Sequence, residues 1–198
     1  MLTFNRLEDL SEEMVKVLRT HLRTSITGFS EVFNEWPAGN FTIKYPSASI
    51  MTVGDGVFSP SLNKPIVLID SPVVNNEALV LRNTGFWEFD LQIDLWCRNK
   101  NQRTQYLRFL EEVLDPDTKS QGLSGLHLTM PDYYNSICSY TYTGFSYEDS
   151  EISAQRREWR AILRVKADAR SLRDKLEKIM TTTVIDLKTK NTAEDLNT

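Results

Sequence analysis

The chain has 198 residues, 40% of them apolar and 25% charged, with 23 Lys and Arg against 27 Asp and Glu for a formal net charge of −4. That length and apolar content suit one domain with its own core, and they are too apolar for a disordered chain. The longest uninterrupted apolar runs, 66–69 and 78–81, hold four residues each where a membrane helix needs roughly 20, and the acidic balance lacks the basic excess of a general nucleic-acid binder.

The N-terminus, MLTFNRLEDLSEEM, is acidic and amphipathic, unlike a secretory signal. Residues 7–23 have the periodicity of an amphipathic helix. Leu7, Leu10, Met14, Val15, Val17, Leu18 and Leu22 share one face; Glu8, Glu12, Glu13, Lys16, Arg19 and Arg23 share the other. Asn5 and Glu8 have the spacing of a helix cap. His21 lies in the apolar face and reads as a packed side chain with a local hydrogen bond.

Residues 24–85 are strand and turn. Phe41 to Tyr45 alternate as a half-buried strand does. Gly54-Asp55-Gly56, flanked by 50–53 and 57–58, predicts a hairpin turn; it lacks the Lys-Ser/Thr ending of a phosphate loop. Pro46, Pro60, Pro65 and Pro72 exclude helix and central strand at their positions. Residues 66–69 read as a short buried strand.

From 86 to 98 the pattern is a strand. Trp87, Phe89, Leu91, Ile93 and Leu95 alternate with Glu88, Asp90, Gln92 and Asp94. A helix over 101–114 follows, with Asn99 and Gln102 at its N-terminal cap and Asp115-Pro116 ending it. Residues 115–135 form an excursion with one apolar stretch, 126–130. A Tyr/Thr-rich strand over 137–147, bent at Gly144, and a second long strand over 152–168 are expected to join through a turn at 148–151. Ser171 and Asp174 predict the cap of a short helix carrying Leu172, Leu176, Ile179 and Met180. The polar stretch 188–198 reads as a flexible tail beyond a single domain over 1–187.

This order of elements predicts an α+β domain: a mixed, largely antiparallel sheet with helices packed on one face. Its candidate chemistry is sparse. Two cysteines, Cys97 and Cys138, and two histidines, His21 and His127, form no metal-ligand spacing, and a disulfide or two reduced core thiols both remain open. Glu88, Asp90 and Asp94 recur along one strand face, where a carboxylate pair for catalysis or a Ca²⁺ site is geometrically conceivable; a solvated polar face explains the same pattern. Arg156, Arg157, Arg160, Arg164 and Lys166 could bind phosphate or pair across the sheet with those acids. Tyr133, Tyr134, Tyr140, Tyr142, Phe145 and Tyr147 suit a core or an interface better than base stacking, since no basic groove accompanies them. No nucleophile or metalloprotease signature is present, so an enzyme is not expected and no cofactor is implied.

The strand GFWEFDLQIDLWCRNKNQ running into the helix RTQYLRFLEEVL, then a Tyr/Thr strand and EISAQRREWRAILRVKADA, resembles the tail terminator (tail completion, or neck) proteins of long-tailed bacteriophages. The resemblance covers residues 7–169 as an ordered series of elements. It implies a structural virion protein, assembled in the host cytoplasm, whose hexameric ring caps the last ring of the tail tube and ends its polymerisation. Its partners would be further copies of itself, the tail tube protein, the head connector and, in contractile tails, the sheath. Double-stranded DNA would pass through the ring without specific binding. The expected subunit contacts are Asp90 and Asp94 against Arg157, Arg160 and Arg164. The long 46–72 and 115–135 regions leave another neck, connector or baseplate component as an alternative. A small cytoplasmic binding module is a second, and an enzyme using Glu88, Asp90 and Asp94 a third.

Overall fold

The computed structural model describes residues 7–35, 43–62, 65–68, 77–115, 125–131, 136–153 and 156–178. In chain order these form α1 (Leu7–Ser25), β1 (Glu31–Asn34), β2 (Ser47–Pro60), β3 (Pro65–Leu68), β4 (Glu77–Cys97), α2 (Lys100–Leu114), β5 (Leu126–Thr129), β6 (Ile137–Ser153) and β7 (Arg156–Lys178). The strands make one sheet in the order β1-β2-β4-β7-β6-β5, with β3 also on β4. Only β1 and β2 run parallel; every other pair is antiparallel. This is the expected α+β architecture, with both helices on one face.

Strand alternation builds the core. Ala48 and Ile50 of β2, Phe89, Leu91, Ile93, Leu95 and Cys97 of β4, Ala161, Leu163, Val165, Ala167 and Ala169 of β7, and Cys138 and Tyr140 of β6 line one face. Against it α1 sets Leu10, Met14, Val15, Leu18 and Leu22, and α2 sets Leu107, Leu110 and Leu114, as their 3.6-residue spacing requires. Asn99 caps α2, its Oδ1 accepting the Gln102 N–H at 2.9 Å, while Gln102 Oε1 accepts the Arg98 N–H at 2.9 Å. The Tyr140 hydroxyl donates to the Met14 carbonyl at 2.8 Å and ties α1 to the sheet.

Four expectations change. Gly54-Asp55-Gly56 is no hairpin: Val53 pairs with Asp90 and Val57 with Glu88, so β2 continues past the glycines with two extra residues as a bulge. Gly54 supplies the positive φ of 74°, and a Cβ on Gly56 would lie 2.4 Å from the Phe89 ring. The expected helix after Ser171 is strand, since β7 stays paired with β4 through Lys178. Leu172 and Leu176 stand four apart, which places them on one side of a helix or of a strand alike. Ile179 and Met180 lie outside the described residues. The expected turn at 148–151 is strand, with pairing continuing to Ser153 opposite Arg156. Residues 43–45, the described part of the expected strand over 41–45, are not strand. The Asn5 cap, Tyr133, Tyr134 and the 188–198 tail also fall outside the described residues.

Candidate functional site

The face of the sheet turned away from the helices carries the charged positions singled out above. On β4 it presents Glu88, Asp90, Gln92, Asp94 and Trp96, and on β7 Arg160, Ile162, Arg164, Lys166 and Asp168. Glu88 and Asp90 are exposed as expected, but Asp94 and Trp96 are fully buried, so the polar alternation does not make a uniformly solvated face.

Arg160, opposite Trp96 in the register, reaches diagonally to Asp94. Its Nη2 and Nε donate to Asp94 Oδ1 at 2.8 and 3.2 Å. Gln92 Nε2 donates to both Asp94 oxygens at 3.1 and 3.2 Å. Arg160 Nη1 donates to Glu148 Oε2 at 2.5 Å. One guanidinium thus joins β4, β7 and β6 from the face that carries no helix, by charge-assisted bonds. Of the expected contact residues, Asp94 and Arg160 meet inside one chain. Asp90 faces Lys166 instead, and Arg164 stands exposed opposite Gln92. Arg157 pairs with Glu151 in the backbone register, and its side chain lies outside the described set.

The sequence pattern did not reveal a row that crosses the same face one strand at a time. Glu88 on β4 is the register partner of Asp168 on β7. Asp168 is the partner of Ser139 on β6, and Ser139 of His127 on β5. His127 Nδ1 lies 2.9 Å from Ser139 Oγ, and Ser139 also hydrogen-bonds Asp168. Burial raises the Asp168 carboxyl above the ordinary carboxylate range and Glu88 adds to that, against the Ser139 hydrogen bond and the His127 ring. These residues lie far apart in sequence, and only the register unites them. The hydroxyl stands between imidazole and carboxylate. In an acyl-transfer triad the imidazole holds that middle place. Among the described residues no group of His, Cys, Asp and Glu could hold a metal ion.

The cysteines are free and buried. Burial pushes the Cys97 thiol up to about 12 and the Cys138 thiol up to about 11, which suppresses the nucleophilic thiolate. His21 is half-buried on α1 with Nε2 3.3 Å from Ser25 Oγ, and burial lowers its pKa; this matches the packed-histidine reading.

The Tyr-rich strand divides its roles. Tyr140 is core, and the Tyr142 hydroxyl donates to Glu111 at 2.9 Å. Tyr147 stacks on Arg103 of α2, whose guanidinium carbon sits 3.9 Å from the Tyr147 ring centre and 5.1 Å from that of Trp159. Arg103 is itself buried, donating to Asp149 and to the Arg160 carbonyl.

The exposed large apolar side chains gather on two flanks. Val53, Val57, Phe58, Leu62 and Phe86 lie on or next to β2, with Val57 62% exposed. Ile137, Phe145 and Tyr147 lie along β6, with Phe145 44% exposed. β2 and β6 stand on opposite sides of the central β4–β7 pair. Periodicity alone does not single them out, because it separates sheet faces and not sheet flanks. On the β2 flank the rings of Phe58 and Trp87 pack at 4.7 Å and those of Trp87 and Phe89 at 6.3 Å. Scanned against protein-family models and curated protein sequences, the chain matches none. Among the described residues no helix is long and apolar enough to cross a membrane.

Proposed function

We propose that this chain is a structural subunit of a closed ring in a phage tail, of the tail terminator or neck kind. In that role it would cap the tail tube, end its polymerisation and meet the head connector. One observation carries the reading: the two apolar flanks differ in composition and lie on opposite sides of one sheet. Patches of exposed apolar side chains mark contact surfaces. Two unlike patches on one chain suit heterologous, head-to-tail contacts, which close into rings when the rotation fits.

The charged face supports the same role. Its most buried acid, Asp94, is satisfied within the chain by Arg160 and Gln92, leaving Asp90 and Arg164 exposed for a neighbour or a tube ring. Negative-stain electron microscopy of the concentrated protein tests the reading. Discrete rings with a central hole are expected. Single particles at every concentration, or open fibres of indefinite length, count against it.

A further inference from the structure

We propose that the sheet itself continues from one copy of the chain to the next, the outer edge of β6 over 141–153 pairing with the outer edge of β2 over 51–59 of a second copy, where Pro60 ends it. The inference rests on the ring reading and assigns its contact. Among the described residues, β5 pairs with β6 only as far as Tyr140, and β1 pairs with β2 only as far as Ile50. Beyond those points both outer edges present backbone N–H and C=O groups that no described strand takes up.

Natural edge strands are commonly blunted by Lys or Pro. Neither residue occurs in 51–59 or in 141–153. Of the three acids on the β6 edge, Glu148 and Asp149 are engaged by Arg160 and Arg103, and Glu151 is the register partner of Arg157 on β7. Exposed apolar side chains flank each edge, Phe145 and Tyr147 on one, Val53, Val57 and Phe58 on the other.

Strand direction makes a second copy the fitting occupant. β2, β4, β7 and β6 alternate strictly, so β2 of a second copy laid beside β6 continues the antiparallel alternation. The two edges are also offset along the strands. Thr141 to Ser153 stand opposite Lys166 to Arg156 of β7. Thr52 to Pro60 stand opposite Leu91 to Gly85 of β4, which in turn pair with Val165 to Ser171 of β7. Joining the edges therefore slides each copy along its neighbour, the stagger that a sheet closing on itself requires. The bulges at Gly54–Gly56 and at Gly144 bend the two strands where they would meet.

The test uses two full-length variants, Val57→Lys and Phe145→Lys, each placing a charge on one edge at an exposed position. Circular dichroism checks that both retain the fold. Wild type is expected as a ring and each variant alone as a monomer. An equimolar mixture should give a species of twice the chain mass, because each variant supplies the edge the other has lost. A ring that survives both substitutions, or dimerisation of Val57→Lys alone through two β6 edges, overturns the edge pairing and leaves the ring reading standing. A wild-type monomer at every concentration overturns both. Hydrogen exchange on wild type probes the same pairing without a substitution. Outward-facing amides in 51–59 and 141–153 should slow by about tenfold or more on assembly while those of β1 and β5 do not, and the reverse pattern contradicts the pairing.

Discussion

Arg160 and Asp94 are joined by two hydrogen bonds, 2.8 and 3.2 Å long, to one carboxylate oxygen on the helix-free face of the sheet. Asp94 is fully buried and the Arg160 side chain only 14% exposed. Removing one partner of such a pair leaves the other buried and uncompensated, at a cost of about 3–5 kcal/mol. Asp94→Ala should approach that loss in urea unfolding. Asp94→Leu combined with Arg160→Met should recover most of it, because an apolar pair of similar volume avoids the stranded charge. A double variant no better than Asp94→Ala would mean that the stranded charge is not the source of the loss.

Arg103 locks the first turn of α2 to the β6–β7 hairpin through three kinds of contact: the Asp149 carboxylate, the Arg160 carbonyl and the rings of Tyr147 and Trp159. A lysine keeps the charge but loses the planar fork and the stacked surface. Arg103→Lys should cost about 2 kcal/mol. Protection against hydrogen exchange should fall first in the ends of β6 and β7. Uniform loss across the sheet would show that Arg103 does not hold the hairpin locally.

Glycine places aromatic rings over the β2–β4 pair. A Cβ on Gly85 would lie 2.4 Å from the Ser59 carbonyl and 2.5 Å from the Phe58 ring. Gly85→Ala should therefore destabilise by about 1–3 kcal/mol through overpacking. A Phe58→Ala background relieves the ring clash but not the backbone clash, so rescue should be partial. Gly54→Ala meets open space and carries only the strain of its positive φ, about 1 kcal/mol. Equal losses at 54 and 85 in thermal unfolding would remove the packing explanation.

Stability should fall at alkaline pH. Both thiols are raised from 9.0, Cys97 to about 12 and Cys138 to about 11, so above pH 9 the unfolded chain sheds protons that the folded chain keeps. The stabilisation is complete below pH 9 and is lost as pH climbs through 11 and 12. The slope reaches up to about 2.7 kcal/mol per pH unit where both contribute. Tyr140, also raised by burial, adds to the loss above pH 10. The Cys97→Ala/Cys138→Ala variant should flatten the profile between pH 9 and 10 and leave the tyrosine part above it; an unchanged slope between 9 and 10 would assign it to other groups.

The fold was legible where one period dominated. Five apolar residues alternating with four polar ones around Leu91 could only be strand, and the caps of α2 stood in the sequence at Asn99 and Gln102. It failed where local patterns fit two structures. Leu172 and Leu176 satisfy helix and strand alike, and pairing with β4 decides for strand. Gly54-Asp55-Gly56 has hairpin chemistry, yet the chain has further strand to place on β4 beyond it. The charges were half legible: acid and base on facing strands predicted cross-strand pairing, but which acid meets which base depends on register. That dependence is why Asp94–Arg160 emerged from the expected set while the His127–Ser139–Asp168–Glu88 row did not. The flanks were hidden because no sequence period reports which strand lies at an edge.

Two unlike flanks of one sheet make the chain a ring subunit in the function proposed above, and light scattering across a wide concentration range tests that most directly. A closed ring predicts one cooperative step from the 22.8 kDa chain to a single fixed multiple of that mass, six if the ring is the expected hexamer, with no larger species above it. A mass that stays at 22.8 kDa throughout, or one that grows without limit as concentration rises, would contradict it.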